Sequence, residues 1–208
     1  MDADLWLTIL DRAGVLVFAM SGGVAAVRQD MDAFGVVALG FLPAVGGGTL
    51  RDVLLGEPVF WLDDTVTLWL ALAGGLLAWF LHPVWERFRA KVWADAIGLA
   101  VFAALGADKA LALGHPGLVV VIMGTLTATA GGLLRDVVAN VTPLLLRQDI
   151  YATAALAGAA VLFGAHHLGL ARTEGLLAGA AVTFVIRAAA IRFDLHAPRP
   201  SRDQAAGS

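Results

Sequence analysis

The chain has 208 residues, of which 59% are hydrophobic and only 15% charged, with a formal net charge of −3 and a mean hydropathy of +0.80. A soluble domain carries roughly a quarter charged residues to cover its core, so this composition excludes an ordinary soluble fold and points to a bilayer. The absence of cysteine excludes disulfides, thiolate metal sites and cysteine nucleophiles. The negative balance, with no basic stripe, argues against a nucleic-acid partner.

A spanning helix needs about 20 apolar residues, and seven segments qualify in chain order: 5–27, 33–56, 65–84, 93–110, 116–138, 149–168 and 173–192. The start, Met1-Asp2-Ala3-Asp4, lacks the basic residues of a secretory signal, so the first segment reads as a retained helix. The third, from Thr65 to Val84, has no charged residue at all before Glu86. The first, fourth and seventh carry Asp11-Arg12, Asp95 and Arg187, charges that must turn inward or sit near an interface. Tight joints fall at 28–32, at 57–64 with Pro58, and at 140–149 with Pro143. The runs are too long for barrel strands of about 9 to 11 residues. The expected fold is therefore an all-α membrane protein with a single transmembrane domain over 1–192, followed by a polar, disordered tail over 193–208.

The segments repeat. Gly47-Gly48-Thr49-Leu50-Arg51-Asp52-Val53 returns 84 residues later as Gly131-Gly132-Leu133-Leu134-Arg135-Asp136-Val137. The same offset relates Asp11 to Asp95, Gly14 to Gly98, Phe18 to Phe102, Gly22 to Gly106, Gly40 to Gly124 and Gly74 to Gly158. Repeat one covers 5–84, repeat two 93–168, and the helix over 173–192 stands outside both. With the N-terminus outside, the inner connections hold eight basic residues (Arg28, Arg87, Arg89, Lys91, Arg147, Arg192, Arg199, Arg202). The outer ones hold two, Lys109 and Arg172. That bias predicts an odd number of spans, N-terminus out and C-terminus in. Three spans per repeat then insert the second copy upside down, as in many transport proteins.

Candidate residues follow from this layout. Adjacent glycines at Gly46, Gly47, Gly48 and at Gly131, Gly132 let helices two and five kink and bare carbonyl oxygens to a cation; the plainer alternative is close helix crossing. Arg51, Asp52, Arg135 and Asp136 are expected as buried charge pairs, within or across repeats, acting as clamps or shaping a pore's field. Thr49, Thr125 and Thr129 could offer hydroxyls to an ion path, whereas Thr127 is expected to bond its own helix. Ser21 could do either. Asp11 and Asp95 read as vestibule acids or helix-start residues. Lys109 reads as a snorkelling surface lysine, the alternative being a voltage-responsive block at a mouth. His166-His167 is a poor metal site, and no fixed metal is expected. No HExxH, GxSxG, P-loop or dinucleotide pattern occurs, so an enzyme is not expected.

On Gly46-Gly47-Gly48-Thr49-Leu50-Arg51-Asp52, Gly131-Gly132-Leu133-Leu134-Arg135-Asp136, Asp11-x-x-Gly14 and Asp95-x-x-Gly98, the chain resembles the bacterial trimeric intracellular cation (TRIC) channels over about residues 5–192. That family is sometimes labelled glycine-transporter-like. The resemblance implies seven transmembrane helices, two inverted three-helix repeats plus one helix, and a homotrimer with one pore per protomer. It further implies kinks at Gly47, Gly48, Gly131 and Gly132, and conduction of potassium or sodium without a cofactor. Helices one and four would contribute to the trimer contacts. Expected partners are other copies of the chain and membrane lipid, with no obligate soluble partner, in the bacterial inner membrane. The phosphoinositide bound by animal relatives is not expected, since Arg87, Arg89 and Lys91 are the only basic cluster. A carrier of a small metabolite such as glycine, or a membrane scaffold, are the competing readings.

Overall fold

The computed structural model describes residues 3–87, 90–147 and 150–195; of the tail expected over 193–208, residues 196–208 lie outside them, as does Arg89, while Phe193 still belongs to the last helix. The described residues form nine helices: α1 (Ala3–Val27), α2 (Ala33–Leu55), α3 (Phe60–Asp63), α4 (Thr65–Arg87), α5 (Ala90–Ala112), α6 (Gly117–Val138), α7 (Leu144–Arg147), α8 (Ala152–His167) and α9 (Arg172–Phe193). Helix ends follow local chemistry. Asp32 accepts the Gly35 N–H at 2.8 Å to start α2. Gly56, left-handed at φ 70°, returns its N–H to the Asp52 and Val53 carbonyls to end that helix. Asn140, at φ 51°, follows the end of α6.

The sequence anticipates the seven long helices. The two four-residue helices, α3 and α7, occupy joints expected to be plain turns, and they stand at equivalent positions of the two repeats. Among the described residues, four helices are long and apolar enough to cross a bilayer: Thr8–Val27 within α1, α2, α6 and α9. The expectation of seven such spans is thus met on length and composition by four. Two of the remaining helices, α5 and α8, show why. α8 has 16 residues, about 24 Å at 1.5 Å per residue, short of the roughly 30 Å hydrocarbon core. α5 holds Asp95, Asp108 and Lys109, and both aspartates are buried against protein.

Burial is inverted relative to a soluble protein. Leu118, Phe80, Trp69 and Val185 are among the large apolar side chains on the surface, while the two largest fully buried side chains are Arg135 and Arg187. Each of those charges needs partners, because burying an unpaired one costs several kcal/mol.

α1, α2 and α4 pack together, as do α5, α6 and α8, and the two groups meet where α1 crosses α5 and α2 crosses α6. Both crossings are reciprocal. A β-carbon on Gly98 would collide with the Phe18 ring, and one on Gly14 would lie 3.1 Å from Phe102. Phe18 and Phe102, themselves repeat mates, touch with ring centroids 5.1 Å apart. At the second crossing, a β-carbon on Gly47 would strike the Thr127 carbonyl oxygen, and one on Gly131 would lie 2.5 Å from the Pro43 carbonyl oxygen. Pro43 and Thr127 are also mates. A contact in which i meets the mate of j, and j the mate of i, is the signature of a twofold relation; here it relates two halves of one chain.

α9 breaks that relation. Gly74 on α4 approaches Leu16 and Ala19 of α1, but its mate Gly158 on α8 approaches Gly179 and Thr183 of α9. Beside α8, α9 therefore takes the place that α1 takes beside α4.

Candidate functional site: the charged ends of the α2–α6 crossing

Both glycine segments remain helical throughout, α2 running unbroken past Pro43 and Gly46-Gly47-Gly48 and α6 past Gly131-Gly132. The expected kinks are therefore not interruptions of helix. The glycines divide their work instead. Gly47 and Gly131 let two backbones touch, while Gly48 leaves room for the Phe60 ring, 2.6 Å from where its β-carbon would be. Gly132 does the same for the Tyr151 hydroxyl at 3.0 Å, and Gly46 faces Leu134. The threonines use their protons locally: Thr49 donates to the Val45 carbonyl at 2.7 Å, Thr125 to Val121 at 2.8 Å, Thr127 to Met123 at 2.6 Å and Thr129 to Thr125 at 2.8 Å. Only lone pairs remain to offer elsewhere, and one on Thr49 accepts the Trp61 indole N–H at 2.8 Å.

Each arginine pairs with the aspartate beside it. Arg51 Nε donates to Asp52 Oδ1 and Arg135 Nε to Asp136 Oδ1, both at 2.8 Å. The second carboxylate oxygen caps the following short helix: Asp52 Oδ2 accepts the Phe60 N–H at 3.0 Å, and Asp136 Oδ2 accepts the Leu144 N–H at 2.9 Å. This is why α3 and α7 exist. Without a carboxylate eight residues upstream, a single helical turn would leave its first N–H groups unpaired.

Beyond this shared core the halves diverge. In the second half, Arg135 Nη1 also donates to Asp95 Oδ1 at 2.9 Å and to Ser21 Oγ at 2.8 Å. Ser21, Asp95 and Arg135 are all fully buried. Tyr151 stands next to them beneath Arg187 of α9, whose guanidinium carbon is 5.1 Å from the ring centroid. In the first half, Lys109 Nζ reaches Asp52 Oδ1 at 2.7 Å. Lys109 is therefore not a lipid-facing surface lysine: it crosses from the second repeat to a fully buried carboxylate of the first. Its repeat mate is Ala25, and the mate of Ser21 is Leu105, so neither contact has a counterpart.

The two sites lie at opposite ends of the bundle. A cavity of about 400 Å³ at one end is lined by Thr8, Asp11, Arg51, Asp64, Lys109 and Arg172, among others. One of about 250 Å³ at the other end is lined by Ala25, Arg28, Asp136 and Thr142, among others. From Asp11 to Ala25 along α1 is about 21 Å at 1.5 Å per residue. At the first end Arg172 holds Asp108 through two nitrogens, the shortest contact being 2.6 Å, and Arg12 approaches Asp64 at 3.5 Å. His166 lines a separate cavity of about 190 Å³ with Asp108 and Arg172. His167 meets the Phe163 ring edge-on, with ring centroids 4.4 Å apart. Among the described residues no group of three or more His, Cys, Asp or Glu could hold a metal ion.

Residues the sequence reading missed are Phe60, Trp61, Tyr151, Asp108 and Arg172. The lone tyrosine of the chain was a usable signal; a single phenol in so apolar a sequence needs a polar partner. Arg187, expected to turn inward or to sit near an interface, is 1% exposed.

Buried charge networks, small-residue crossings and an apolar exterior define an internally duplicated helical membrane protein. The family described as glycine transporter matches residues 8–83 and 92–167, two stretches offset by the same 84 residues. The chain belongs to this family of UPF0126 membrane proteins. It is 40% identical over 204 residues to a UPF0126 membrane protein of Vibrio cholerae, covering 92% of this chain and 82% of that one. It is 41% identical over 201 residues to the inner membrane protein YadS of Escherichia coli K12, covering 94% and 96%. Among solved structures it is similar to the TRIC trimeric intracellular cation channel orthologue of Rhodobacter sphaeroides, at 39% identity and a TM-score of 0.87, over 91% of this chain and 98% of that one.

Proposed function

We propose that this protein is a passive monovalent-cation channel, chiefly for potassium, working as a homotrimer in the bacterial cytoplasmic membrane with one path per protomer. The observation that carries this is the likeness, over nine-tenths of the chain, to the cation channel of Rhodobacter sphaeroides. The path is assigned to the α2–α6 crossing, entered from the Lys109 end through one charged cavity and left through the other. Gly47, Gly48, Gly131 and Gly132 set its width. The Lys109–Asp52 contact is assigned as the closure at the first end, and the Arg135–Asp95–Ser21 network as the closure at the second.

The spans are taken as α1, α2, α4, α5, α6, α8 and α9, all within one domain. The three-helix halves are inverted about an axis in the membrane plane, which the reciprocal glycine contacts support. The N-terminus is placed outside and the C-terminus inside on the positive-inside bias.

A second reading, a secondary transporter of a small metabolite such as glycine, has the family's description and the mixed charges of the larger cavity in its favour. Reconstitution in liposomes separates the two. Discrete current steps reversing near the potassium potential support the channel. Silence under voltage in several lipid mixtures, together with gradient-driven uptake of labelled glycine, overturns it.

A further inference from the structure

The cavities at the two ends of the bundle are built on the same positions. Each is lined by one residue of an Arg-Asp pair and by the first residue of a short helix: Arg51 and Phe60 at one end, Asp136 and Leu144 at the other. Each is also lined from the C-terminal end of a long helix. Lys109 and Ala112 of α5 supply the first end, and Ala25 of α1 with Arg28 just beyond it supplies the second. These are repeat mates, Ala25 with Lys109 and Arg28 with Ala112. No residue repeats the Lys109 contact at its own position, but a cation returns three residues later on the mate helix.

Local geometry brings both cations to their cavities. The Arg28 N–H still bonds the Val24 carbonyl at 3.2 Å, the helical i to i−4 pattern. Residues three apart on a helix share a face and advance by about 4.5 Å, so Arg28 stands one turn farther out than its register partner Ala25. Helical side chains lean toward the N-terminus of their helix, which from the C-terminal ends of α1 and α5 is back into the bundle. The two cations differ in depth. Lys109 is partly covered and bonds the fully buried Asp52 at 2.7 Å, whereas Arg28 is exposed at the rim.

We propose that Arg28 is the counterpart of Lys109 at the second end, a rim charge that sets how readily monovalent cations enter the path from the Asp136 side. This rests on the channel reading above. A cation arriving from that side meets the guanidinium before it reaches the Arg135 network, and the field of a fixed positive charge lowers its local concentration there. Lys109 acts deeper, on the Asp52 carboxylate itself, and so closes its end. Arg28 acts from the rim and so limits the entry rate without sealing the path.

The test is single-channel recording of the wild type, Arg28→Gln and Arg28→Lys across a potassium chloride series. A unit charge about 7 Å from the ion changes its local concentration roughly threefold in dilute salt, and little near 1 M where screening acts over about 3 Å. The expected result is a roughly threefold gain in unitary current for potassium entering from the Asp136 end in dilute salt. That gain should vanish near 1 M and be absent in Arg28→Lys. Unchanged current, an equal gain in both directions, or a gain that persists near 1 M overturns the proposal. A residue that only guided insertion or packing would change the yield of protein, not a salt-dependent current in one direction. The first end supplies a second variant, needed if Arg28→Gln does not assemble. Ala112, the mate of Arg28, is exposed and has room for a longer side chain. Adding Ala112→Arg to Lys109→Gln moves that end's cation to the register of Arg28. Relative to Lys109→Gln alone, current entering from the first end should fall roughly threefold in dilute salt, and no fall overturns the proposal. A wild type that never conducts removes the channel reading itself, a separate outcome from a conducting wild type indifferent to Arg28→Gln.

Discussion

Adding one methyl group at Gly47 should cost as much as adding one at Gly131, and adding both should cost less than the sum. In Gly47→Ala the new carbon falls on the Thr127 carbonyl; in Gly131→Ala it falls 2.5 Å from the Pro43 carbonyl. Ordinary contact needs about 3.5 Å, so α2 and α6 must separate by roughly 1 Å in either case. Overpacking of this kind costs about 1–3 kcal/mol. The two sites sit on one crossing related by the internal twofold, so the first methyl parts the helices and the second enters space already opened. The double variant should therefore fall short of additivity by about 1 kcal/mol or more, the range seen for residues in contact. Gly164→Ala on α8, where a β-carbon meets nothing within 4 Å, is the control and should be neutral or up to about 1 kcal/mol stabilising. Thermal unfolding of the detergent-solubilised protein, scored with oligomer yield on a sizing column, measures all four. Wild-type stability in either single variant, or full additivity in the double, would refute the reciprocal crossing.

Asp95→Asn removes the carboxylate from the fully buried Arg135 and should destabilise by about 3–5 kcal/mol, read as loss of folded oligomer; Asp11→Asn, its mate, should leave folding within about 1 kcal/mol of wild type because it breaks no ion pair. Lys109→Gln frees Asp52 at the first end while Arg51 still pairs with it. Current at a fixed voltage should rise severalfold with little change in melting temperature, and an unchanged or reduced current would exclude Lys109 as a closure. The native chain has no cysteine, so Thr8→Cys and Thr142→Cys each carry the only thiol. In intact cells a membrane-impermeant maleimide should label the first and spare the second until the membrane is opened; labelling of both, or the reverse, would refute the assigned orientation.

Much of the fold was legible because repetition is legible. The mates Gly47 and Gly131, Phe18 and Phe102, and the two Arg-Asp pairs all stood out as a periodic signal; the glycines and phenylalanines sit at the crossings near the internal twofold, while the Arg-Asp pairs lie at opposite ends of the bundle. What the repeat could not explain is what it does not contain. Lys109 has Ala25 for a mate, Tyr151 has Thr67, and Arg187 lies on a helix with no counterpart, so symmetry could not single them out. The short helices α3 and α7 were hidden for another reason. Their stretches hold Pro58 and Pro143 and look like turns, and what makes them helical is a carboxylate eight residues away in sequence. Apolarity counted along the chain did not separate the four most apolar long helices from the other three. The charges of α5 answer to other helices, as Arg135 to Asp95 and Arg172 to Asp108 do, rather than to lipid.

The reciprocal crossing also bears on assembly. A surface that fits its own copy back to back does not require the two copies to share a backbone. Cut between α4 and α5, this chain becomes two polypeptides whose join is already self-complementary, one made of α1 to α4 and the other of α5 to α9. Such a surface is what a pair of small membrane proteins would present if each inserted in opposite directions and met in the bilayer. The link between the halves then acts chiefly to fix their ratio at one to one, and to let Lys109, Ser21 and α9 differ where identical subunits could not.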